Sequence, residues 1–582
     1  MRNSREQGSL TVQVLAGTHV VLLGMDVAEV GRDGLLGFAI ERDDRTEHEK
    51  HFLPNFLLFE VNDHGEDPDR SSERNPFQAF LWGDYTAKPA HDYTYRVTAM
   101  HGQPGDLDPR DRVEVEISTQ DVSIGRHSIF FNRGAATSQA YAEKFGNLAP
   151  DKVPDRAAYE WLSRGLEEAI LEFIAQADGD GWGLRGALYE FTYGPVLDAL
   201  LAAKARGADV ELVVAAPTAS DAFPIPPACE NADAIEKTVT PNPAGGRIKN
   251  LDLHNVVHGR QKTDIPHNKF IVLLKDDKPV QVWTGSTNIT AGGIFGHSNV
   301  GHAVRDEQIA ADYLEFWNAL EPDPERADIR SWTIGKSDLP EQKVDAADPL
   351  PPPDSISTVF SPRNDTKALQ WYAKLMDHAR ESVFLTAAFG VSDELQRVFG
   401  EHKDYLRYLL LDNRDGTVNA VARDIESDPN NLVTAGAYIG EGGTRQGWRQ
   451  WVIEHVTGLN FHVQFIHTKY MLIDPLGEDP VVITGSANFS AASTDENDEN
   501  MLVIRGDSDV ADVYLGEFMR LFTAFRLRAK ANARPSELVA NSGSGGPPAA
   551  KLYLAADDTW ANRFYVEGSP EAQERHLFAG TG

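Results

Sequence analysis

The chain has 582 residues, 41% of them apolar and 25% charged, which suits a soluble globular protein of about three or four domains. No run of roughly 18 apolar residues occurs, which excludes an ordinary membrane-spanning helix. The formal net charge of −33, from 88 acidic and 55 basic residues, argues against a broad face for nucleic acid or for anionic membranes.

The N-terminus, MRNSREQGSLTVQVLAG, has no basic-then-apolar stretch ending in a small-residue cleavage site. The expected location is therefore cytoplasmic, with a processed secreted form as the alternative. Cys229 is the single cysteine and cannot form an intramolecular disulfide, which fits that compartment. Residues 1–125 alternate apolar and polar side chains in short runs, as in SLTVQVLAG and YTYRVTAM, separated by turn-rich pieces. This pattern predicts an antiparallel β-sandwich. Within it AKPAHDYTYRV resembles the fibronectin type III segment that carries a corner tyrosine, here Tyr93.

From residue 126 the texture becomes α/β. AAYEWLSRGLEEAILEFIAQA (157–177) has helical periodicity, LRGALYEFT (184–192) reads as a strand, and PVLDALLAAKARGADVELVVAA reads as helix, turn and buried strand. The order strand, helix, strand predicts a parallel sheet. A first α/β half over 126–339 ends at a proline-rich linker, 340–356, whose prolines suit neither helix nor central strand. The second half, 357–534, repeats the first. TVFSPR echoes SIFFNR, and ADVYLGEFMRLF echoes AADYLEFWNAL, at an offset of roughly 200 residues that indicates tandem duplication. A tail, 535–582, opens with the flexible NSGSGGPPAA and ends in an aromatic stretch suited to docking on the body. Arg520, Arg526, Arg528, Lys530 and Arg534 read as a solvated helix end.

The chemistry lies in two segments, HNKFIVLLKDDKPVQVWTGSTNIT (267–290) and HTKYMLIDPLGEDPVVITGSANFS (467–490). In a strand, residues two apart share a side, so His267 emerges with Lys269 and His467 with Lys469. Turn signals return each chain antiparallel, placing Ser286 beside Asn288 and Ser486 beside Asn488. The glycine before each serine offers a ligand close approach to the backbone. A phosphodiester needs such a set: Lys and Asn hold the non-bridging oxygens, one neutral His attacks phosphorus, and the other, protonated, serves the leaving oxygen.

The doubled motif resembles the phospholipase D superfamily, whose signature is H-x-K-x4-D with a downstream G-S-x-N. That resemblance implies two α/β halves related by a pseudo-two-fold axis, one active site at their junction, and a metal-free, cofactor-free reaction through a phosphohistidine. It also implies a role for Glu499, eleven residues after Asn488, in orienting a catalytic histidine. In the second copy Asp474 takes the signature aspartate, while Leu274 stands at that place in the first. The first half offers Ser298 or Asn299 where the second has Glu499. Glu499 is therefore expected to pair with His467 and favour its protonated form, leaving His267, beside a neutral partner, as the nucleophile.

The expected function is phospholipase D-type cleavage of a phospholipid head group by a monomer whose halves form one site. The alternatives are a nuclease for DNA or RNA, and a silent scaffold on the same fold. HNVVH (254–258) reads as a loop rather than a helical metal pair, GWGLRG and GEGGTRQG lack a phosphate-loop context, and Trp182, Trp283 and Trp448 read as core residues.

Overall fold

The computed structural model describes residues 1–64, 68–134, 139–146, 148–216, 226–237, 253–412, 416–436, 465–532 and 553–582. GEGGTRQG, Trp448, Arg534 and NSGSGGPPAA lie outside the described residues. Among the described residues no helix is long and apolar enough to cross a membrane.

Alternating patterns in the N-terminal region produce eight antiparallel strands: β1 (Arg2–Gln7), β2 (Leu10–Ala16), β3 (Val21–Val27), β4 (Gly37–Asp44), β5 (Glu49–Phe52), β6 (Leu81–Asp84), β7 (Asp92–Gln103) and β8 (Asp106–Ser118). They form two sheets, ordered β1-β2-β3-β6 and β5-β4-β7-β8. Val12, Val14 and Leu23 of one sheet are packed with Ile40, Tyr95, Val97 and Val115 of the other. Trp560 and Phe564 of the tail complete this core, and Arg575 of the tail pairs with Asp26. The sandwich is tied to the second half by the N-terminal ammonium and Arg2, both 2.8 Å from the buried Asp512.

The first half contains β9 (Ser123–Ile124), β10 (His127–Phe131), β11 (Trp182–Leu188), β12 (Asp209–Ala215), β13 (Val257–Arg260), β14 (Lys269–Lys275), β15 (Lys278–Gly285) and β16 (Val300–Val304). The second contains β17 (Ser355–Ser361), β18 (Ser382–Ala387), β19 (Leu406–Leu411), β20 (Asn431–Ala435), β21 (Tyr470–Ile473), β22 (Val481–Gly485) and β23 (Glu499–Arg505). Their sheets run β13-β12-β11-β14-β15-β16-β10-β9 and β17-β23-β22-β21-β18-β19-β20. Read in opposite directions these are one order, with β9 added to the first. The duplication in sequence is thus a duplication of topology.

Three sequence expectations change. Each sheet is mixed: β11, β12 and β13 are parallel, and so are β18, β19 and β20, but the motif hairpins pair antiparallel against them. The strand–helix–strand rule holds only for the part of each half that has helical crossovers. The helical stretch 157–177 forms two helices, Ala157–Ser163 and Leu166–Ala175, separated where Arg164 and Gly165 take φ of 49° and 89°. The linker begins inside a short helix, Leu339–Val344, with Pro340 in its first turn, where proline's missing N–H costs nothing.

Candidate active site

The hairpins form as their turn residues dictate. Asp276 and Asp277, with φ of 48° and 60°, supply the left-handed pair of a tight turn between β14 and β15. His267, Lys269, His467 and Lys469 are all buried, and each lysine ammonium donates to the carbonyl of its own histidine, at 2.7 Å for Lys269 and 2.6 Å for Lys469. β14 begins only at Lys269 and β21 only at Tyr470, so the histidines precede the strands on which they were expected, and the ammonium-to-carbonyl bond makes each pair one unit.

The halves exchange partners. Ser298 and Ile466 form a parallel bridge, with Ser298 N donating to Phe465 O at 2.9 Å and His467 N to Ser298 O at 3.1 Å. On the other side Asp498 N donates to Ile265 O at 3.0 Å. These reciprocal bonds carry Glu499 to the histidine of the other half. His267 Nδ1 lies 2.8 and 2.9 Å from the two Glu499 oxygens, and His467 Nδ1 lies 2.9 Å from Asn299 Oδ1. The expected pairing of Glu499 with His467 is therefore corrected. The sequence places Glu499 next to its own Ser486, but the packing of the halves turns it across the axis. Of the two candidates in the first half, Asn299 takes the position, and Ser298 contributes backbone.

Both serines serve this arrangement instead of facing a ligand. Ser286 Oγ donates to Asn299 Oδ1 at 2.8 Å, and Ser486 Oγ to Glu499 Oε2 at 2.6 Å. Each also accepts a backbone N–H, from Val300 and Asn500. The glycines likewise serve strand packing: a Cβ on Gly285 would meet Val300 O at 2.3 Å, and one on Gly485 would meet Asn500 O at 2.2 Å. Asn288 Nδ2 donates to Glu190 at 2.6 Å, while the Oδ1 atoms of Asn288 and Asn488 are buried without a hydrogen-bond partner.

Asp474 stands apart from the chemistry. Its carboxylate accepts the amides of Arg380, Glu381 and Ser382 at 2.7 to 3.1 Å, so it anchors the start of β18. Five steps along the chain, across the four residues of β21, separate it from Lys469, roughly 16 Å. Leu274 in the first half is a core residue, and its lack of a carboxylate leaves the site's contacts intact.

Two aromatic residues, absent from the sequence argument, flank the site. The Tyr189 ring lies 5.0 Å from that of His267 and 5.4 Å from Lys269 Nζ. Phe389, 200 positions later, lies 6.2 Å from His467 and 5.8 Å from Lys469 Nζ. The offset between the halves was the signal for them. Phe389 is 45% exposed and borders a cavity of about 460 Å³, also lined by Thr366, Val391, Asp393, Glu394 and Ser490. HNVVH, expected to be a loop, is instead a short 3-10 turn, Leu253–Val256, leading into β13, and it is elsewhere engaged: His258 lies 2.8 Å from Glu211 and 3.1 Å from Glu321. Trp283 is core, and Trp182 is half-buried under Lys275.

Burial sets the charge states. Desolvation holds His267 down to about 4 even though Glu499 pulls it up. His467 lies well below its ordinary value through burial and the nearby Lys469, His297 and Lys269. Lys269 is pushed down to about 8 by burial, with Glu499 and Glu190 opposing, and Lys469 is driven well down by burial and by Lys269. The two motifs thus feel each other's charge. Both imidazoles rest neutral with Nδ1–H directed to an oxygen, which leaves each Nε2 lone pair free.

A family model described as the phospholipase D-like domain of cardiolipin synthase matches residues 170–320 and 409–522. A phospholipase D of Rickettsia bellii is 30% identical over 164 residues, covering 28% of this chain and 67% of that protein. Among solved structures, phosphatidylserine synthase of Haemophilus influenzae has a TM-score of 0.41 at 14% identity, over 63% of this chain and 85% of its own. Yeast tyrosyl-DNA phosphodiesterase has 0.31 at 12% identity, over 58% and 87%. With one domain model matching in both halves, where the paired hairpins lie, the chain belongs to the phospholipase D superfamily.

Proposed function

We propose that the protein is a phosphodiesterase in which His267 is the nucleophile and His467 the general acid. The observation that carries this is the crossed pair of hydrogen bonds, carboxylate to His267 and carboxamide to His467. A carboxylate on Nδ1–H fixes the tautomer and stabilises the positive charge that grows on the ring as Nε2 bonds to phosphorus. As that bond forms, the P–O bond to the leaving group breaks, and its oxygen takes a proton from His467 Nε2. Water then attacks phosphorus, returns a proton to His467, and displaces His267. A bound diester anion between Lys269 and Lys469 offsets the charges that depress His467, so substrate itself favours the acid's protonation. Asn288 and Asn488, with the lysines, hold the non-bridging oxygens.

The cavity beside Phe389 supports a phospholipid head group as the leaving alcohol. It opens on the His467 side and, among the described residues, carries two carboxylates and no basic side chain, which suits a small polar or cationic alcohol and disfavours the next phosphate of a nucleic-acid strand. We read the sandwich as fibronectin type III-like, on its sheet orders and on the Tyr93 hydroxyl, which accepts the Lys88 amide at 2.9 Å.

The test is turnover, in EDTA, of bis(p-nitrophenyl) phosphate, phosphatidylcholine vesicles and a single-stranded oligonucleotide. Lipid and generic diester turnover, abolished in His267→Ala and His467→Ala, is expected, with acid-quenched label on His267. Oligonucleotide cleavage alone would replace the lipid reading with a nuclease. No turnover of any substrate would leave a scaffold, and label on His467 would reverse the two roles.

A further inference from the structure

Where the sandwich and the two halves meet, three guanidinium groups cluster, among the described residues, around one carboxylate that two of them contact. Arg133 follows β10 and Arg164 sits at the helix break after Ser163, while Arg520 and Glu517 share the second-half helix Ser508–Asn532. His19, in the β2–β3 turn of the sandwich, completes the junction, and burial together with Arg164 holds it down to about 3, uncharged. Arg520, expected from sequence to be solvated, is only 13% exposed and lies 2.8 Å from Glu517. Arg528 is buried as well.

Glu517 is fully used. One oxygen meets Arg164 Nη2 at 2.6 Å and the other meets Arg520 Nε at 2.8 Å. Arg520 Nη2 reaches the carbonyls of Asn132 and Arg133 at 3.3 Å, and Arg164 Nε donates to Phe131 O at 2.9 Å. Among the described residues Arg133 contacts no carboxylate. Its guanidinium packs over Trp161 at 4.6 Å, and its Nε is buried without a partner, as is Nη1 of Arg164, whose side chain is 4% exposed. Three positive charges against one negative leave an excess of two in a region largely closed to water, an arrangement that costs several kcal/mol without a counter-ion.

We propose that this junction is a binding site for a phosphate-class dianion, held by Arg133, Arg164 and Arg520. The charge matches, and guanidinium groups suit tetrahedral oxyanions because they donate in forks. Burial and the neighbouring Arg164 and Arg520 push Arg133 down to about 9, and an anion would relieve that crowding. The site also touches the catalytic scaffold. Asn132, next to Arg133, donates to the carbonyls of Ile294 and His297 at 2.9 Å and accepts Asn299 N at 2.8 Å. Asn299 in turn holds His467. Occupancy would thus brace the residue that orients the general acid. The ligand is either free inorganic phosphate or a phosphomonoester on a larger molecule.

The experiment is thermal unfolding of the full chain titrated with inorganic phosphate, glycerol 3-phosphate, or potassium chloride at matched ionic strength. The comparison uses the parent, Arg133→Met, and Lys269→Ala/Lys469→Ala, which weakens anion binding at the catalytic centre. Phosphate-specific stabilisation is expected in the parent and the lysine variant, and at least about tenfold weaker in Arg133→Met. A larger effect of glycerol 3-phosphate would assign the site to monoesters, and a larger effect of inorganic phosphate to the free ion. Stabilisation equal in Arg133→Met and the parent, or absent from both, would overturn the proposal. If the lysine variant does not fold, tungstate soaked into crystals of the parent decides: anomalous density among the three arginines supports the site, and density only between Lys269 and Lys469 refutes it.

Discussion

Glu499, in the second half of the chain, holds the Nδ1 edge of His267 in the first, with both carboxylate oxygens within 2.9 Å. The carboxylate is itself buried and held by Ser486, so its charge acts in a medium of low dielectric and without reorganisation. Glu499→Gln keeps the size and loses the charge. It should lower kcat on a generic diester on the order of 10³-fold with folding intact, by analogy with carboxylate loss behind a catalytic histidine. Wild-type turnover in this variant, with an unchanged circular dichroism spectrum, would make the carboxylate idle.

Asn299→Asp gives His467 the carboxylate it lacks. The acid partner's pKa then rises, and because a general acid must be protonated, the alkaline limb of the kcat profile should move to higher pH. Should His467 be the nucleophile, which must be neutral, the acidic limb would move up instead and activity at low pH would fall. A pH–rate profile separates the two.

Asp393→Asn/Glu394→Gln should leave turnover of bis(p-nitrophenyl) phosphate near wild type, since neither side chain touches the histidines. It should raise KM for a choline-bearing diester by about tenfold, the loss of one modest charge contact. A KM unchanged for the cationic substrate would remove the cavity from head-group recognition.

Legibility in the sequence followed the range of the interaction. The pairing of His267 with Lys269 could be read because it is local, although β14 starts only at Lys269 and β21 only after Lys469, and the repeat at His467 and Lys469 made it specific. The destination of Glu499 is a property of the interface between halves, and nothing within residues 467–499 records it. The serines and glycines show a related gap. Their spacing announced a conserved geometry between the copies, but Ser286 and Ser486 turn out to orient Asn299 and Glu499, and Gly285 and Gly485 to admit a neighbouring strand. Arg520 sits in a run of cations that reads as solvent-facing until the first half is docked against the helix, where it reaches the carbonyls of Asn132 and Arg133.

The buried pair His127 and His302, with ring nitrogens 2.8 Å apart, predicts acid sensitivity. Burial depresses His127 from 6.5 to about 4 and His302 well below 6.5. Below pH 6.5 the unfolded chain therefore binds more protons than the folded one, so stability is complete above that pH and falls as the pH drops. For His127 the loss extends to its folded pKa and amounts to roughly 3 kcal/mol. Urea midpoints at about pH 7.5 and about pH 5 should differ less in His302→Asn than in the parent. Equal differences would mean the pair does not titrate on unfolding.

Arg260 joins stability to catalysis. Its side chain is fully buried, 2.8 Å from Asp498 of the other half and 2.8 Å from Asp323. Asp498 is also buried and precedes Glu499 in the chain, and its backbone N–H binds Ile265 O, two residues before His267. Removing Arg260 strands a carboxylate in the interior, which costs about 3–5 kcal/mol. Arg260→Met should therefore lower the urea midpoint and, by loosening the Asp498–Ile265 contact, lower kcat while leaving KM little changed. Adding Asp498→Asn removes the stranded charge and should restore most of the stability but less of the turnover, because the contact of Asp498 with Arg260 that seats the segment is still missing. Recovery of both together would mean that charge burial alone mattered; recovery of neither would mean that Asp498 is not the residue through which Arg260 acts.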